Sequence, residues 1–352
     1  MRMFTKSVMV GSVGIGGEHP VRIQSMTNTD TRDVEATVAQ IHRLDLLGCE
    51  LIRVSVPDIE SAKALSDIKR QIRLPLIADI HFSPELALLS MEYGADKIRI
   101  NPGNMPKKSL KEIIALAKEK KIPIRIGVNS GSVEKEILES AIDKEAAMLE
   151  SLRRSVALFT EEGFEDLVLS AKASSVPLNI SLNRAISREF PYPLHLGVTE
   201  AGPLSTSLIR SSVGIGTLLS EGIGDTIRVS ISGPPEEEIA PAKEILRCLG
   251  LRKGFELISC PTCARTRIDL LPMIDRVTKA MEGHDIPLRV AIMGCAVNGP
   301  GEARDADVGI AGGIKEGLLF RKGEIIAKLP QEELVDALLD EIERMANVVL
   351  NR

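Results

Sequence analysis

Three of the chain's five cysteines fall in one late stretch, Cys260 and Cys263 as C-x-x-C and Cys295 in a loop rich in Gly and Pro. Thiolates are soft donors, and two spaced ligands with a distant third form a metal-binding pattern. Three cysteines leave a four-coordinate site one ligand short. His284, in a Gly-His-Asp turn, lies well before Cys295. Glu302 stands closer, joined to Cys295 through Asn298-Gly299-Pro300-Gly301, and is the better candidate for the fourth position. A carboxylate among thiolates is a hard, weak donor, so this position suits an exchangeable ligand and hence chemistry. A structural zinc site and a thioredoxin-like redox pair are the alternatives, the first lacking a Cys or His and the second having no use for Cys295. The helical pattern from Arg267 to Lys279 predicts that the C-x-x-C thiols sit at a helix N-terminus, where the dipole favours thiolate. Cys49 and Cys248 are expected to be small buried apolar residues.

The elements that must position this chemistry begin far upstream. From Val21 onward, short β-branched runs alternate with polar turns and amphipathic helices: 21–26, 51–56, 76–81, 97–101, 124–129, 167–172, 194–200 and 226–232. Helical patterns cover Asp33 to Leu47, Pro84 to Tyr93, Leu110 to Lys120, Asp143 to Glu162 and Leu204 to Glu221. Strict alternation through eight units predicts an α/β fold of the (β/α)8 TIM-type barrel class. A doubly wound sheet is the alternative, but no G-x-G-x-x-G follows the first run. The glycines from Gly11 to Gly17 precede the first barrel strand and read as a hairpin closing the barrel floor. At Gly233-Pro234-Pro235 the composition shifts, which places a domain boundary between residues 235 and 236. Residues 236–352 then form a smaller α+β domain carrying the cysteines, with further strands from Leu288 and Asp307 and a last helix from Glu332 to Val348.

A barrel places its site at the C-terminal ends of its strands. There the chain offers Arg53, Asp79, His81, Arg99, Asn101, Arg125, Asn129, Lys172, Glu200, Ser230 and Ser232. Three arginines and a lysine converging on one face imply an anionic ligand, and guanidinium forks with Ser and Asn donors suit phosphate or diphosphate oxygens. Glu200 becomes a proton donor or base only where its pocket raises its pKa.

Composition limits the alternatives. A net charge of −5, with 3% aromatics and no Trp, gives no footprint for nucleic acid or anionic membrane. No apolar run reaches the roughly 18–20 residues of a bilayer span, and the start does not read as a secretory signal. A cytoplasmic setting is expected, in which cysteines are thiols or metal ligands.

Together the segments Gln24–Thr31, Lys97–Asn104, Arg125–Asn129, C-P-T-C and Gly294–Glu302 are those of a known family. The chain resembles, over essentially its whole length, the 4-hydroxy-3-methylbut-2-enyl diphosphate synthases of the methylerythritol phosphate route to isoprenoids, in their short two-domain bacterial form. The resemblance implies a [4Fe-4S] cluster on Cys260, Cys263 and Cys295, with Glu302 as exchangeable ligand. It implies 2-C-methyl-D-erythritol 2,4-cyclodiphosphate as substrate, held by Arg53, His81, Arg99, Asn101, Arg125, Asn129, Lys172, Ser230 and Ser232, with Asp79 and Glu200 as catalytic groups beside it. It also implies a flavodoxin or ferredoxin electron donor and a head-to-tail homodimer. The competing classes are a barrel transferase with a zinc-stabilised appendage and a non-catalytic iron–sulfur sensor.

Overall fold

Four of the helix starts in the barrel are written by short polar side chains. Asp33, Asp58, Ser83 and Asp143 each accept a hydrogen bond from the backbone N–H three residues on, and each opens a helix. Such caps are each worth about 1 kcal/mol. In the computed structural model, which describes residues 2–350 except 130, 132, 285 and 296–302, these helices alternate with eight parallel strands.

The hairpin β1 (Val8–Val10) and β2 (Val13–Ile15) comes first. The barrel strands follow as β3 (Arg22–Met26), β4 (Leu51–Ser55), β5 (Leu76–Asp79), β6 (Lys97–Ile100), β7 (Ile124–Asn129), β8 (Leu167–Lys172), β9 (His195–Leu196) and β10 (Thr226–Ile227). Between them lie α1 (Val34–Leu47), α2 (Ile59–Gln71), α3 (Pro84–Glu92), α4 (Lys107–Lys120), α5 (Lys135–Ser140), α6 (Lys144–Thr160), α7 (Val176–Glu189) and α8 (Leu204–Ser220). The sheet runs β8-β7-β6-β5-β4-β3-β10-β9, and a bridge between Leu169 and Leu194 closes β8 onto β9. The last two runs give strands of only two residues each, shorter than the sequence predicts. Beyond Leu196 the backbone must leave room for a buried lysine, as described below.

Val8, Val10 and Ile15 of the hairpin pack against Leu51, Ile77 and Val168, which point inward at the lower ends of their strands. The glycine-rich start is therefore the barrel floor. The main core lies between strands and helices, with Ile52, Val54, Leu65, Ile98, Ile113, Ile126, Leu152 and Leu169 among its fully buried members.

After Ser232 the chain makes α9 (Ile239–Cys248), whose Ile239, Ala242, Ile245 and Leu246 join the barrel core. The first compact unit accordingly extends to Leu251, and the expected boundary at 235/236 falls before a helix that the barrel keeps. The Pro-Pro turn changes direction without ending the domain. Cys248 is exposed at the end of α9, contrary to expectation, whereas Cys49 is buried in the core.

The second unit is a five-stranded sheet in the order β11 (Glu256–Ser259), β12 (Arg289–Met293), β13 (Val308–Ala311), β14 (Glu316–Arg321) and β15 (Glu324–Pro330). The first three are parallel and the last two antiparallel. Its core gathers Leu270, Val277 and Met281 of α10 (Leu270–Met281) and Leu334, Leu338 and Ile342 of α11 (Leu334–Ala346) with Val290, Ile292, Val308 and Ile310.

Candidate functional site

Alternation along the strands turns every second side chain into the barrel, and near the mouth those side chains are polar. Arg53, Asp79, His81, Arg99, Arg125, Asn129, Ser170, Lys172, Thr199, Arg228 and Ser230 line a cavity of about 170 Å³ with Gly127. Asp79 is its ionic hub. Its Oδ1 accepts from Arg99 Nη1 at 3.1 Å, and its Oδ2 lies 3.6 Å from Arg53 Nε and 3.9 Å from His81 Nε2. Arg99 Nη1 also lies 3.2 Å from His81 Nδ1. Burial disfavours the ionised carboxyl, but the fields of Arg53, Arg99 and Arg125 prevail and hold it at about 2. Asp79 is thus ionised throughout the neutral range.

The cations are in the opposite position. Burial depresses Arg53 to about 10, and burial together with the neighbouring arginines brings Arg125 and Lys172 well below their ordinary values. Arg125 Nε and Nη1 and Arg99 Nε are buried with no hydrogen-bond partner among the described residues. A buried charge without an acceptor is costly, so these donors are of the kind an anion would satisfy. Glycines make the space. A Cβ at Gly127 would come within 2.9 Å of Arg99 Nε, and one at Gly197 within 2.6 Å of Lys172 Nζ.

Most of the strand-end candidates meet here, but three stand apart. Asn101 is buried beyond β6 without lining the cavity. Ser232 is exposed, its N–H donating to Gly202 O at 3.0 Å. Glu200 is exposed on the loop after β9 with φ +54°, in the left-handed region, and its carbonyl accepts from Arg210 Nη1 at 3.1 Å. Sequence reasoning missed Arg228, Ser170 and Thr199. Arg228 pairs with Glu238 through contacts of 2.9 and 2.7 Å, and Glu238 also accepts from Ser25 Oγ at 2.7 Å. Arg228 sits two residues before Ser230 on the same run, so strand alternation was the available signal.

In the second unit, Cys260 and Cys295 follow β11 and β12, adjacent parallel strands, so both residues come just past the C-terminal end of the sheet. The Gly294 N–H donates to Cys260 Sγ at 3.1 Å. Hydrogen bonds from the backbone and side chain of Arg265 lower the exposed Cys263 thiol below its ordinary value. The expected helix-terminal position is not what favours thiolate: α10 starts at Leu270, and a turn with Thr266 N–H donating to Cys263 O at 3.0 Å intervenes. Local N–H donors take over the role of the dipole. Among the described residues no three His, Cys, Asp or Glu side chains are gathered closely enough to hold a metal ion, and Glu302 lies outside those residues. The donor set is nevertheless chemically suited to iron–sulfur ligation: two thiols at one end of the sheet, a third made more acidic, and N–H donors aimed at sulfur.

Residues 5–243 match the GcpE TIM-barrel domain and residues 256–344 the GcpE protein C-terminal domain. The chain is 53% identical over 349 residues to 4-hydroxy-3-methylbut-2-en-1-yl diphosphate synthase (flavodoxin) of Caldanaerobacter subterraneus subsp. tengcongensis, covering 98% of both chains. It is 49% identical over 348 residues to the protein of the same name from Geobacter sulfurreducens, covering 98% of this chain and 99% of that one. Among solved structures, dihydropteroate synthase from Stenotrophomonas maltophilia aligns with 70% of this chain and 97% of its own at TM-score 0.53 and 14% identity, a likeness of barrel fold alone.

Proposed function

The chain belongs to the GcpE family, the 4-hydroxy-3-methylbut-2-en-1-yl diphosphate synthases, and on that premise we propose how its two units divide the reaction. The enzyme reductively opens and dehydrates 2-C-methyl-D-erythritol 2,4-cyclodiphosphate to 4-hydroxy-3-methylbut-2-enyl diphosphate in isoprenoid biosynthesis. The barrel mouth takes the cyclic diphosphate. The observation that carries this reading is the group of Arg53, Arg99, Arg125, Lys172 and Arg228 around one small cavity lined by a single carboxylate, with Arg125 donors left unpaired.

In this reading Arg125 and Lys172 donate to diphosphate oxygens, and Arg228, His81, Asn129 and Ser230 complete the shell. Asp79, fixed as an anion, orients Arg53 and Arg99 and is unsuited to giving up a proton at neutral pH. Glu200, exposed on the left-handed turn after β9, is the candidate proton donor for the departing hydroxyl, a role it can take only when a covering surface desolvates it. Asn101, buried beyond β6, and Ser232, on the stretch after β10, lie outside this shell.

Cys260, Cys263 and Cys295, with Glu302 as the exchangeable fourth ligand, would hold a [4Fe-4S] cluster. When bound, that cluster supplies the two electrons of the reduction one at a time. The relatives' name supports flavodoxin as the donor, with ferredoxin as the other candidate. A head-to-tail homodimer would bring one chain's cysteines to another's barrel, and a cytoplasmic setting suits thiol ligands. No helix among the described residues is long and apolar enough to cross a membrane.

The test is anaerobic reconstitution followed by turnover with reduced flavodoxin. Formation of 4-hydroxy-3-methylbut-2-enyl diphosphate in proportion to cluster content is expected. Full cluster content with no consumption of the cyclodiphosphate would overturn the reading.

A further inference from the structure

Beneath the cavity, Lys172 does not stand alone. Its Nζ lies 3.1 Å from Nε2 of His195, and Nδ1 of the same ring lies 2.8 Å from Thr226 Oγ1. His195 and Thr226 are fully buried. A protonated Lys172 can only donate, and in that state His195 Nε2 accepts from it and Nδ1–H is left to donate to the threonine hydroxyl. The three residues come from β8, β9 and β10, and they cross the place where the barrel closes. A second tie, Ser170 Oγ donating to His195 O at 3.1 Å, holds the same histidine from its backbone. Gly197, two residues beyond His195, leaves the room in which the ammonium sits.

We propose that His195 is a positioning residue for the diphosphate-binding lysine: with Thr226 fixing its ring, it holds the Lys172 ammonium at the cavity wall, beside Gly197. The inference rests on the reading of the barrel mouth given above. The ring is itself never in contact with the ligand and acts only through Lys172. It must remain neutral to accept, and its surroundings keep it so: burial first, then Lys172, Arg125, Arg53 and Lys97 hold its pKa well below the ordinary imidazole value. The charges that weigh most on Lys172 are those of Arg125, Arg53, Arg228 and Arg99, all cationic, and the imidazole gives the ammonium a neutral acceptor 3.1 Å away. Without that acceptor the like charges would drive the lysine off its seat.

A double-mutant cycle separates positioning from general support of the fold. Binding of the cyclodiphosphate to the full chain is measured by calorimetry for wild type, His195→Phe, Lys172→Met and the double variant. Lys172→Met is expected to weaken binding at least tenfold. His195→Phe, which keeps a ring but removes the acceptor, is expected to weaken binding about fivefold or more, to raise KM with little change in kcat, and to have no further effect once Lys172 is Met. Should His195→Phe fail to fold, His195→Gln, which retains an acceptor oxygen, is expected to show a smaller loss that again vanishes in the Lys172→Met background. Equal losses with and without Lys172, or no loss in a folded His195→Phe protein, overturn the positioning role alone. An unchanged affinity in Lys172→Met instead overturns the diphosphate reading of the mouth.

Discussion

Asp79 and Arg99 are register partners on adjacent parallel strands, and their side chains meet at 3.1 Å inside the barrel. The pair is buried, and the carboxylate also serves Arg53. Removing one partner of such a group leaves uncompensated charge, which is more damaging than removing the whole group. Asp79→Asn is therefore expected to destabilise the barrel by about 3 kcal/mol at pH 7, read from urea unfolding. Its pH dependence has a definite sign. A carboxyl held at about 2 in the folded state, against 3.8 ordinarily, contributes stability that is complete above the ordinary value and lost as pH falls toward 2. The gap between wild type and Asp79→Asn should therefore narrow between about pH 4 and pH 2; a gap that stays constant would remove the ionic role.

Arg125→Ala and Lys172→Ala should weaken cyclodiphosphate binding tenfold or more, since a charge-assisted contact contributes on the order of 1.5–3 kcal/mol. Iron and sulfide content should be unaffected, because these residues belong to the first unit. Calorimetry beside metal analysis checks both halves of this expectation.

Lys97 offers a different test. It is fully buried one alternation below Arg99, and its Nζ has no hydrogen-bond partner among the described residues. Burial, reinforced by Arg125 and Arg53, holds its pKa well below that of free lysine. A lysine of this kind costs stability wherever the unfolded chain would be protonated, and the cost fades as pH rises toward the unfolded value near 10.4. Lys97→Met is expected to stabilise the protein by about 1–3 kcal/mol at pH 7. The advantage should shrink by pH 10 in parallel unfolding curves.

Serine at Cys260, Cys263 or Cys295 should abolish the absorption near 400 nm of reconstituted protein, whereas Cys49→Ser and Cys248→Ser should retain it. Burial pushes the Cys49 thiol up to about 12, so it is a poor ligand, and Cys248 lies at the end of α9 in the other unit. Equal loss in Cys248→Ser and Cys263→Ser would reassign the ligands.

Glu302→Cys is expected to assemble a cluster, since thiolate is the better donor, and to lose turnover because the exchangeable position is gone. Activity per assembled cluster is the measurement, and wild-type turnover in that variant would exclude an exchange role for Glu302.

Much of the barrel was legible because its strands are β-branched runs set at regular intervals. The cations could be read as a group because alternation places Arg99, Arg125 and Lys172 on inward positions. Arg228 obeys the same alternation, but its acceptor Glu238 lies beyond a Pro-Pro turn that reads as the end of the domain. The left-handed turn at Glu200 was not legible, because that conformation depends on tertiary contacts such as the one to Arg210 rather than on a glycine. Cys248 illustrates the opposite error. Residue type suggested burial, but its place on the outer face of α9 decides exposure.

The hairpin under the barrel has a consequence for traffic. With Val8, Val10 and Ile15 packed on Leu51, Ile77 and Val168, the barrel is a flask with a sealed base, and its polar interior communicates with solvent through the neck. In the proposed reading, a diphosphate seated among Arg125, Lys172 and Arg228 would also stop that neck. In that reading, substrate enters and product leaves by the same opening.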